Sequence, residues 1–560
     1  MRWLACGVAL CAVISIGCAA NRGGAIGGAE GNAADAVDLF RPDRLLKVDI
    51  AMAEKDWGSL RWQGRSLPHA YSGCLDFDGY TYFDAAVTID GERVDDVAVR
   101  KKGFLGSVSS TRPSLKLSFG RGQTHQKRTF HGHKRLTLNN NLEDPSNARQ
   151  CLAYRLFAQA GVPAPRCNLA HVTAQGKNLG IYTHVEPIKK PFLARVFGDD
   201  GGNLYEGQVS DFNPGLVTSF ELKTNERQPD RSDLQAVLRA LRATDDELWD
   251  ALDAVIDLDE FLSFWAMEVL VGHTDGYSGN QNNFYLYHDP DDDRLHFIPW
   301  GTDSAFVTQH VEQSGPTPVS TFGGSELSAR LWRIPDVRER YVERLRDLMD
   351  ELWDEAELDA QVDWIGKLTG APTTQLNGIK QFIDQRQGYI EAELEGIVPP
   401  WPGTPRRSPA VCHEPATTSG TFELRWTDTH TYATGGKLTF QIPIAGKPLE
   451  LNADTVSAAG PVQELDDPAH GSPRIAFTGT SSADGRKIWV GLYIPLLAWA
   501  AGEIPFHGYE TYGLVLELLP NGGFKRLGVI GDGTITLQSA GRTDGALVKG
   551  SWQGRFATTG

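Results

Sequence analysis

Residues Asp257–Phe306 read DLDEFLSFWAMEVLVGHTDGYSGNQNNFYLYHDPDDDRLHFIPWGTDSAF, and their pattern decides the fold. Asp257 or Asp259 is placed to cap a helix whose buried stripe is Phe261, Leu262, Trp265, Val269 and Leu270. Gly272 ends that helix, and a polar loop follows with Asp275, Asn280, Asn282 and Asn283. Two short strands come next, Phe284–Tyr287 and Leu295–Pro299, joined by the acidic turn Asp289-Pro290-Asp291-Asp292-Asp293, which reads as a solvated tip. A turn centred near Asp291 sets Phe284 opposite Ile298 and Asn283 opposite Pro299, with cross-strand partners roughly 5 Å apart. Asp275, Asn283 and Asp303 are therefore expected to converge at the open end of the hairpin. Two carboxylates and an amide in one mouth suit Mg²⁺ or Mn²⁺, with one carboxylate left to orient a hydroxyl. Asn, Asp and Gly also dominate ordinary turns, so spacing alone leaves a plain turn-making role open.

With 560 residues the chain is long for one core, and two or three domains are expected. Hydrophobic residues at 41% and charged ones at 22% describe a globular protein. The net charge of −17 argues against nonspecific binding to nucleic acid or anionic lipid. Arg2 followed by the apolar run Leu4–Ile16 reads as an export signal, too short to span as a permanent helix. It closes on Ser15-Ile16-Gly17-Cys18, in the manner of a lipoprotein cleavage site, although Ser15 stands where Leu is usual; ordinary secretion stays open. Beyond Cys18, the mature chain keeps Cys74, Cys151, Cys167 and Cys412. These could form two disulfides in three connectivities or remain buried thiols, and no spacing suggests zinc.

Upstream, residues 19–43 read as a tether, and Phe83–Ile89 and Val94–Arg100 as a hairpin around Asp90-Gly91. The loop Lys102-Gly103-Phe104-Leu105-Gly106-Ser107 then precedes a strand carrying Lys116. Backbone N–H groups at Gly103 and Gly106 could cover phosphates, with a strand lysine such as Lys116 as the point charge; a Gly/Ser loop is also often only a turn. Asp144-Pro145-Ser146 opens a helix over Asn147–Ala160, and two strands, Leu169–Ala174 and Leu179–Val185, end at Glu186.

The ordered segments RKKGFLGS, RPSLKLSF, RLTLNN, DPSNARQCLAYRLFAQAGVPAPRCN, LGIYTHVEPIKKPFL, GGNLYEG, FWAMEVLVGHTDGYSGNQNNFYLY and FIPWGTDSAF resemble the CotH family of exported proteins. They cover roughly residues 45–395 in family order. The resemblance implies an atypical protein-kinase-like fold, in which helix, loop Asp, loop Asn, hairpin and later Asp occur in the protein-kinase order. It further implies ATP-dependent phosphoryl transfer to protein Ser/Thr hydroxyls with a divalent metal, Mg²⁺ or Mn²⁺. Asp275 then matches the catalytic-loop Asp, Asn283 the metal-side Asn and Asp303 the metal-binding Asp, while Lys116 and Lys102 are the phosphate-lysine candidates. Two departures stand out. Many relatives read Trp-Asp-x-Asp where this chain has Trp300-Gly301-Thr302-Asp303, and the helix position often held by Glu is Gln150. Glu186 could supply a carboxylate to the lysine instead, or could cap a strand.

Helices continue over Glu326–Leu331, Val337–Asp354 and Leu376–Leu394, followed by a Pro-rich linker at 397–416. Period-two strands with Gly, Asn and Asp turns then run through 417–560 and predict an all-β sandwich. Its Trp426, Trp489, Trp499 and Trp552 are expected in its core rather than stacked on sugars. The fold class expected is thus α+β: signal 1–18, tether 19–43, kinase-like domain 44–396, linker 397–416 and sandwich 417–560. The function expected is an exported protein kinase with a protein substrate, no nucleic-acid partner and a membrane anchor at Cys18. The alternative is a catalytically weak scaffold that serves as a cell-envelope binding protein.

Overall fold

In the strand Leu46–Met52 (β1), Leu46, Val48 and Ile50 are buried and the residues between them are exposed. Phe83–Ile89 (β2) alternates in the same way, while Glu92–Lys102 (β3), Ser114–Ser118 (β4), Arg135–Asn139 (β5), Cys167–Ala174 (β6) and Lys177–Val185 (β7) carry runs of consecutive buried residues where both faces are covered. In this computed structural model they form a closed barrel in the order β1-β2-β3-β4-β5-β7-β6, sealed by parallel pairing of β1 with β6. The structure describes residues 38–558 apart from 73–79, 105, 122–127, 308–316, 409–412, 435, 445, 452–454, 462–472 and 507–509. The signal, most of the tether, Cys18, Cys74 and Cys412 lie outside the described residues. No helix among the described residues is long and apolar enough to cross a membrane.

Side chains alternate across a strand, so burying Val97, Val99, Leu115 and Leu117 inside the barrel turns Arg100, Lys102 and Lys116 to its other face. Arg100 pairs directly with Lys116 across β3 and β4. Against this barrel lies the helix Arg149–Gln159, opened by Asp144, which accepts the Arg149 N–H at 2.9 Å. A disulfide from Cys151 to Cys167 joins that helix to β6.

The helix Leu258–Leu270 is capped by Asp257, whose carboxylate accepts from the Glu260 N–H at 3.0 Å. Every side chain from Phe261 to Leu270 is buried, so the expected stripe is part of a helix enclosed on all sides. It forms the centre of the largest apolar cluster, between the 149–159 helix and the helices Pro335–Leu352 and Thr373–Glu395. Beside it, Leu204–Gly207 (β8), Glu221-Leu222 (β9), Phe284–Asp289 (β10) and Arg294–Pro299 (β11) form a sheet in the order β11-β10-β8-β9. The molecule is of mixed α+β class, as expected.

One expectation needs correction. Phe284 pairs with Pro299, one residue along from the expected register, because four residues rather than three separate the last pair, Asp289 and Arg294. Asp293 adopts a left-handed φ of +59° and donates its N–H to the Asp289 carbonyl at 2.9 Å, which closes the longer turn. The acidic turn is solvated as expected, with residues 290–293 exposed, and Asp292 in it is also paired. His296 sits between Glu260 (2.9 Å) and Asp292 (3.1 Å), and Arg294 spans Asp257 (2.9 Å) and Asp292 (3.3 Å).

From Ala416 to Thr558 nine strands build one continuous sheet. An isolated bridge from Trp426 to Ala459 brings the end of the strand Ala416–Arg425 against the strand Val456–Gly460 at one edge of this sheet. Trp426, Trp499 and Trp552 are buried in the apolar core of the sheet, whereas Trp489, though buried, falls outside that core between Ile488 and Val490 and donates its indole N–H to Tyr432 at 2.7 Å. This sheet meets the barrel: Leu67 packs with Val529 and Ala557, and the Ser110 N–H donates to Glu510 at 2.7 Å.

Burial alone would lower the His296 pKa, but the hydrogen bonds and charges of Glu260 and Asp292 win and raise it from 6.5 to about 9. The protonated ring therefore stabilises the fold fully below about pH 6.5, by up to about 3 kcal/mol, and that contribution is lost as pH rises through about 9. His296→Gln should flatten this high-pH decline, measured as urea unfolding free energies at about pH 6 and about pH 9.5.

Candidate functional site

The loop after the Trp265 helix is held from beneath by a buried carboxylate. Glu268 accepts the N–H groups of Tyr277 (2.7 Å) and Ser278 (2.8 Å), and burial pushes its carboxyl up to about 8. These bonds start the short helix Tyr277–Asn280 and leave Thr274-Asp275-Gly276 arched above it. Asp275 is half-buried and collects three amide donors: Asn280 (2.5 Å), Asn282 (3.4 Å) and Asn283 (2.6 Å). The asparagines that could have been plain turn formers thus fix the orientation of this carboxylate.

At the other side of the hairpin mouth, Trp300 donates its N–H to the Asn283 carbonyl at 3.1 Å. Gly301 then takes φ +55°, and a Cβ there would lie 2.7 Å from the Asn283 carboxamide. Glycine is needed twice over, for the left-handed backbone and for the space Asn283 occupies. This is the physical counterpart of the missing carboxylate at position 301. Asp303 follows in the 3₁₀ turn Thr302–Ser304, which the 149–159 helix supports directly. Tyr154 of that helix lies beside Gly301 and Thr302, and Arg149 donates to the carbonyls of Asp303 (3.3 Å) and Glu143 (3.0 Å).

Glu143 is a site residue that the sequence reading missed. Its side chain is exposed along the rim, but its carboxylate lies against Gly106, whose φ of +81° and lack of a side chain leave the room. Desolvation there, then the charges of Asp303 and Asp275, push the Glu143 carboxyl up to about 8. Asp303 is raised too, by burial and by Asp275, against the opposing pull of Lys102 and Arg149. Glu143, Asp303 and Asp275 thus act on one another's charge at one end of the cleft; with the Asn283 amide they supply hard oxygens of the kind a divalent cation takes, although the three carboxylates are not gathered within 4.8 Å of one another.

The barrel face supplies the opposite charge. Lys102 is lowered to about 8 by burial, with Asp303 and Glu206 pulling it back up. Lys116 is lowered to about 7 by burial and by the neighbouring cations Arg100, Lys102 and Lys189. Cations gathered in this way favour a polyanion over them. Lys102 donates to the Asn139 carboxamide oxygen, and Asn139 in turn donates to Gln150 at 2.7 Å. A neutral relay therefore connects Lys102 to the 149–159 helix where an ion pair with Glu was the usual expectation. Gly103, at φ +111°, starts a tight turn in which Ser107 donates its N–H to the Phe104 carbonyl at 3.0 Å, and Asn140 anchors the turn through the Ser107 carbonyl at 2.9 Å.

Glu186 is not brought to either lysine. Arg166 (2.9 Å) and Arg195 (2.6 Å) take its two carboxylate oxygens, and it clamps the end of β7 instead. Among the described residues it is Asp257, Asp292 and His296 that lie close enough together to share a cation, within 4.8 Å, but Arg294 and Glu260 already pair with that group.

Residues 99–396, which span this cleft from β3 onward, match the family model described as CotH kinase protein. The chain belongs to the CotH family. It is 26% identical over 241 residues to Inner spore coat protein H of Bacillus subtilis, an alignment covering 41% of this chain and 66% of that protein. To the Inner spore coat protein H-like protein of the same species it is 29% identical, over 47% of this chain and 81% of the relative. Invasin CotH7 of Rhizopus delemar is 25% identical over 39% of this chain and 40% of its own length. The CotH match ends at residue 396, before the Pro-rich segment and the C-terminal sheet.

Because Asn283 fills the Cβ position of residue 301, Gly301→Ala should cost about 1–2 kcal/mol in urea unfolding from the left-handed backbone alone. The same substitution should displace the Asn283 amide from Asp275, visible as a shifted side-chain amide resonance.

Proposed function

We propose that this CotH protein transfers the γ-phosphate of ATP to Ser or Thr hydroxyls of a protein substrate, with Mg²⁺ or Mn²⁺. The observation that carries this reading is the convergence of Asp275, Asn283 and Asp303 at the hairpin mouth, opposite Lys102. ATP supplies the phosphoryl group, and the divalent ion shields the charge that develops on its oxygens. Asp275, oriented by its three asparagines, accepts a hydrogen bond from the incoming hydroxyl and takes its proton as the oxygen bonds to phosphorus and ADP leaves. Asn283 and Asp303 hold the metal, with Glu143 as the further carboxylate in place of the one absent at Gly301. Lys102 holds the phosphates through the position set by Asn139 and Gln150, and Lys116 adds charge behind it. The N–H groups around Gly103 and Gly106 cover the phosphates from above.

The relatives named as spore coat proteins, together with the signal-like segment before Cys18, support an exported, surface-associated protein held by a lipid at Cys18. A second reading draws on the same names and on Gly301: a coat or envelope scaffold that binds but scarcely catalyses. Incubation with labelled ATP and Mn²⁺ or Mg²⁺ distinguishes them. Wild-type protein should label itself or an added protein. Asp275→Ala should cut the rate by about 10²–10⁴-fold, and Lys102→Ala should mainly abolish the nucleotide-dependent rise in melting temperature. No labelling and no nucleotide-dependent rise in the wild type would favour the scaffold.

A further inference from the structure

The segment after the helix Thr373–Glu395 does not hang free before the C-terminal sheet. Trp401 packs on Phe322 with ring centroids 5.6 Å apart, and Arg407 pairs with Glu326 at 2.7 Å. Between these anchors the strap lies along the loop that carries Asp275. The Arg406 N–H donates to the Gln281 side-chain oxygen at 3.1 Å, and the Arg406 carbonyl accepts from Gln281 (3.2 Å) and Asn213 (3.0 Å). The Arg406 guanidinium donates from one nitrogen to the Asn280 carbonyl at 2.9 Å and from another to Asn280 Oδ1 at 2.5 Å. Asn280 Nδ2 then donates to Asp275 Oδ1 at 2.5 Å.

The chemistry of the three groups dictates this order. Guanidinium has only donors and an ionised carboxylate has only acceptors, so a carboxamide between them must turn its oxygen to Arg406 and its nitrogen to Asp275. Without the guanidinium, the Asn280 carboxamide is held only by its bond to Asp275 and is freer to swing away from that carboxylate. The two-pronged grip also spans a backbone and a side-chain oxygen of one residue, which a single ammonium cannot match with a planar fork.

We propose that Arg406 is a positioning residue for Asp275, acting through the Asn280 carboxamide, so that the strap leading to the C-terminal sheet completes the catalytic loop. This rests on reading Asp275 as the group that takes the acceptor hydroxyl. Arg406 lies beyond the span matched by the CotH family model, so the device belongs to this chain's own extension.

The test uses the full chain. Arg406→Ala should lower kcat for phosphoryl transfer by about 10- to 100-fold, the range for a slightly misplaced catalytic group. KM for ATP should stay unchanged, because Lys102, Lys116, Asn283 and Asp303 are untouched. Arg406→Lys, which keeps the charge and strap docking, should fall between the two. Arg407→Ala, which loosens the strap at Glu326 without touching Asn280, should keep the wild-type kcat. Wild-type kcat in Arg406→Ala, or an equal loss in Arg406→Ala and Arg407→Ala, overturns the proposal. Hydrogen exchange of the Thr274–Asn283 backbone provides a readout independent of catalysis. Arg406→Ala should speed exchange at Asn280–Asn283 and Arg407→Ala should not, even if the wild type transfers no phosphate and the kinase reading itself fails; unchanged exchange in Arg406→Ala would also overturn the proposal.

Discussion

The hydrogen bond from Asn283 to Asp275, 2.6 Å long, closes the mouth of the β10–β11 hairpin, and the candidate site depends on it. It joins the loop that enters the hairpin to a residue packed against the strand that leaves it. Its geometry is prepared elsewhere: Glu268 seats the loop from below, and the Trp300-to-Asn283 backbone bond sets where β11 ends. Side chains alternate along a strand, so slipping this register by one residue would turn Asn283 away from Asp275 and Gly301 away from Asn283.

Opposite charges face each other across the cleft, each sign crowded on its own side. One helix, Arg149–Gln159, touches both. Its first turn reaches Asp303 through Arg149, Tyr154 reaches Gly301 and Thr302, and Gln150 reaches Lys102 by way of Asn139. The disulfide to Cys167 ties this strut to the barrel, so the lysine face and the carboxylate end share a single support. The substitution of Gln for the usual Glu does not cut the link. It replaces a charge pair with a chain of neutral hydrogen bonds, which avoids the desolvation cost of another buried ion.

The C-terminal sheet acts on this cleft from two directions. Glu510 takes the Ser110 N–H just after the glycine turn, while the strap that leads to the sheet docks on the catalytic loop. Glu510 also opposes the loss of charge on Lys101, which burial lowers to about 7 and which stands next to Lys102 on β3. The region that composition marked as a Pro-rich connector is thus engaged with the loop through hydrogen bonds, aromatic packing and an ion pair.

Local repetition made much of this legible beforehand. Short apolar runs between turns marked β2, β3, β4, β6 and β7, Asp90-Gly91 marked a two-residue turn, and Asp257 and Gly272 marked the ends of the buried helix. The order Asp275, Asn283, Asp303 on one helix–hairpin unit could be read because the unit is contiguous and antiparallel pairing brings its ends together. The register missed by one residue because Asp293 adopts a left-handed conformation that no periodicity announces.

What the sequence by itself determined was therefore the set of elements and the near-neighbour geometry within each, since these follow from side-chain alternation, caps and turns along a continuous stretch. Only the tertiary structure decided which distant side chains meet. It sent Glu186 to Arg166 and Arg195, placed Glu143 on Gly106, routed Lys102 to Gln150 through Asn139 and joined nine strands of the C-terminal region into one sheet. Those pairings rest on the packing of segments tens to hundreds of residues apart, where a carboxylate goes to whichever donors the folded chain brings within reach.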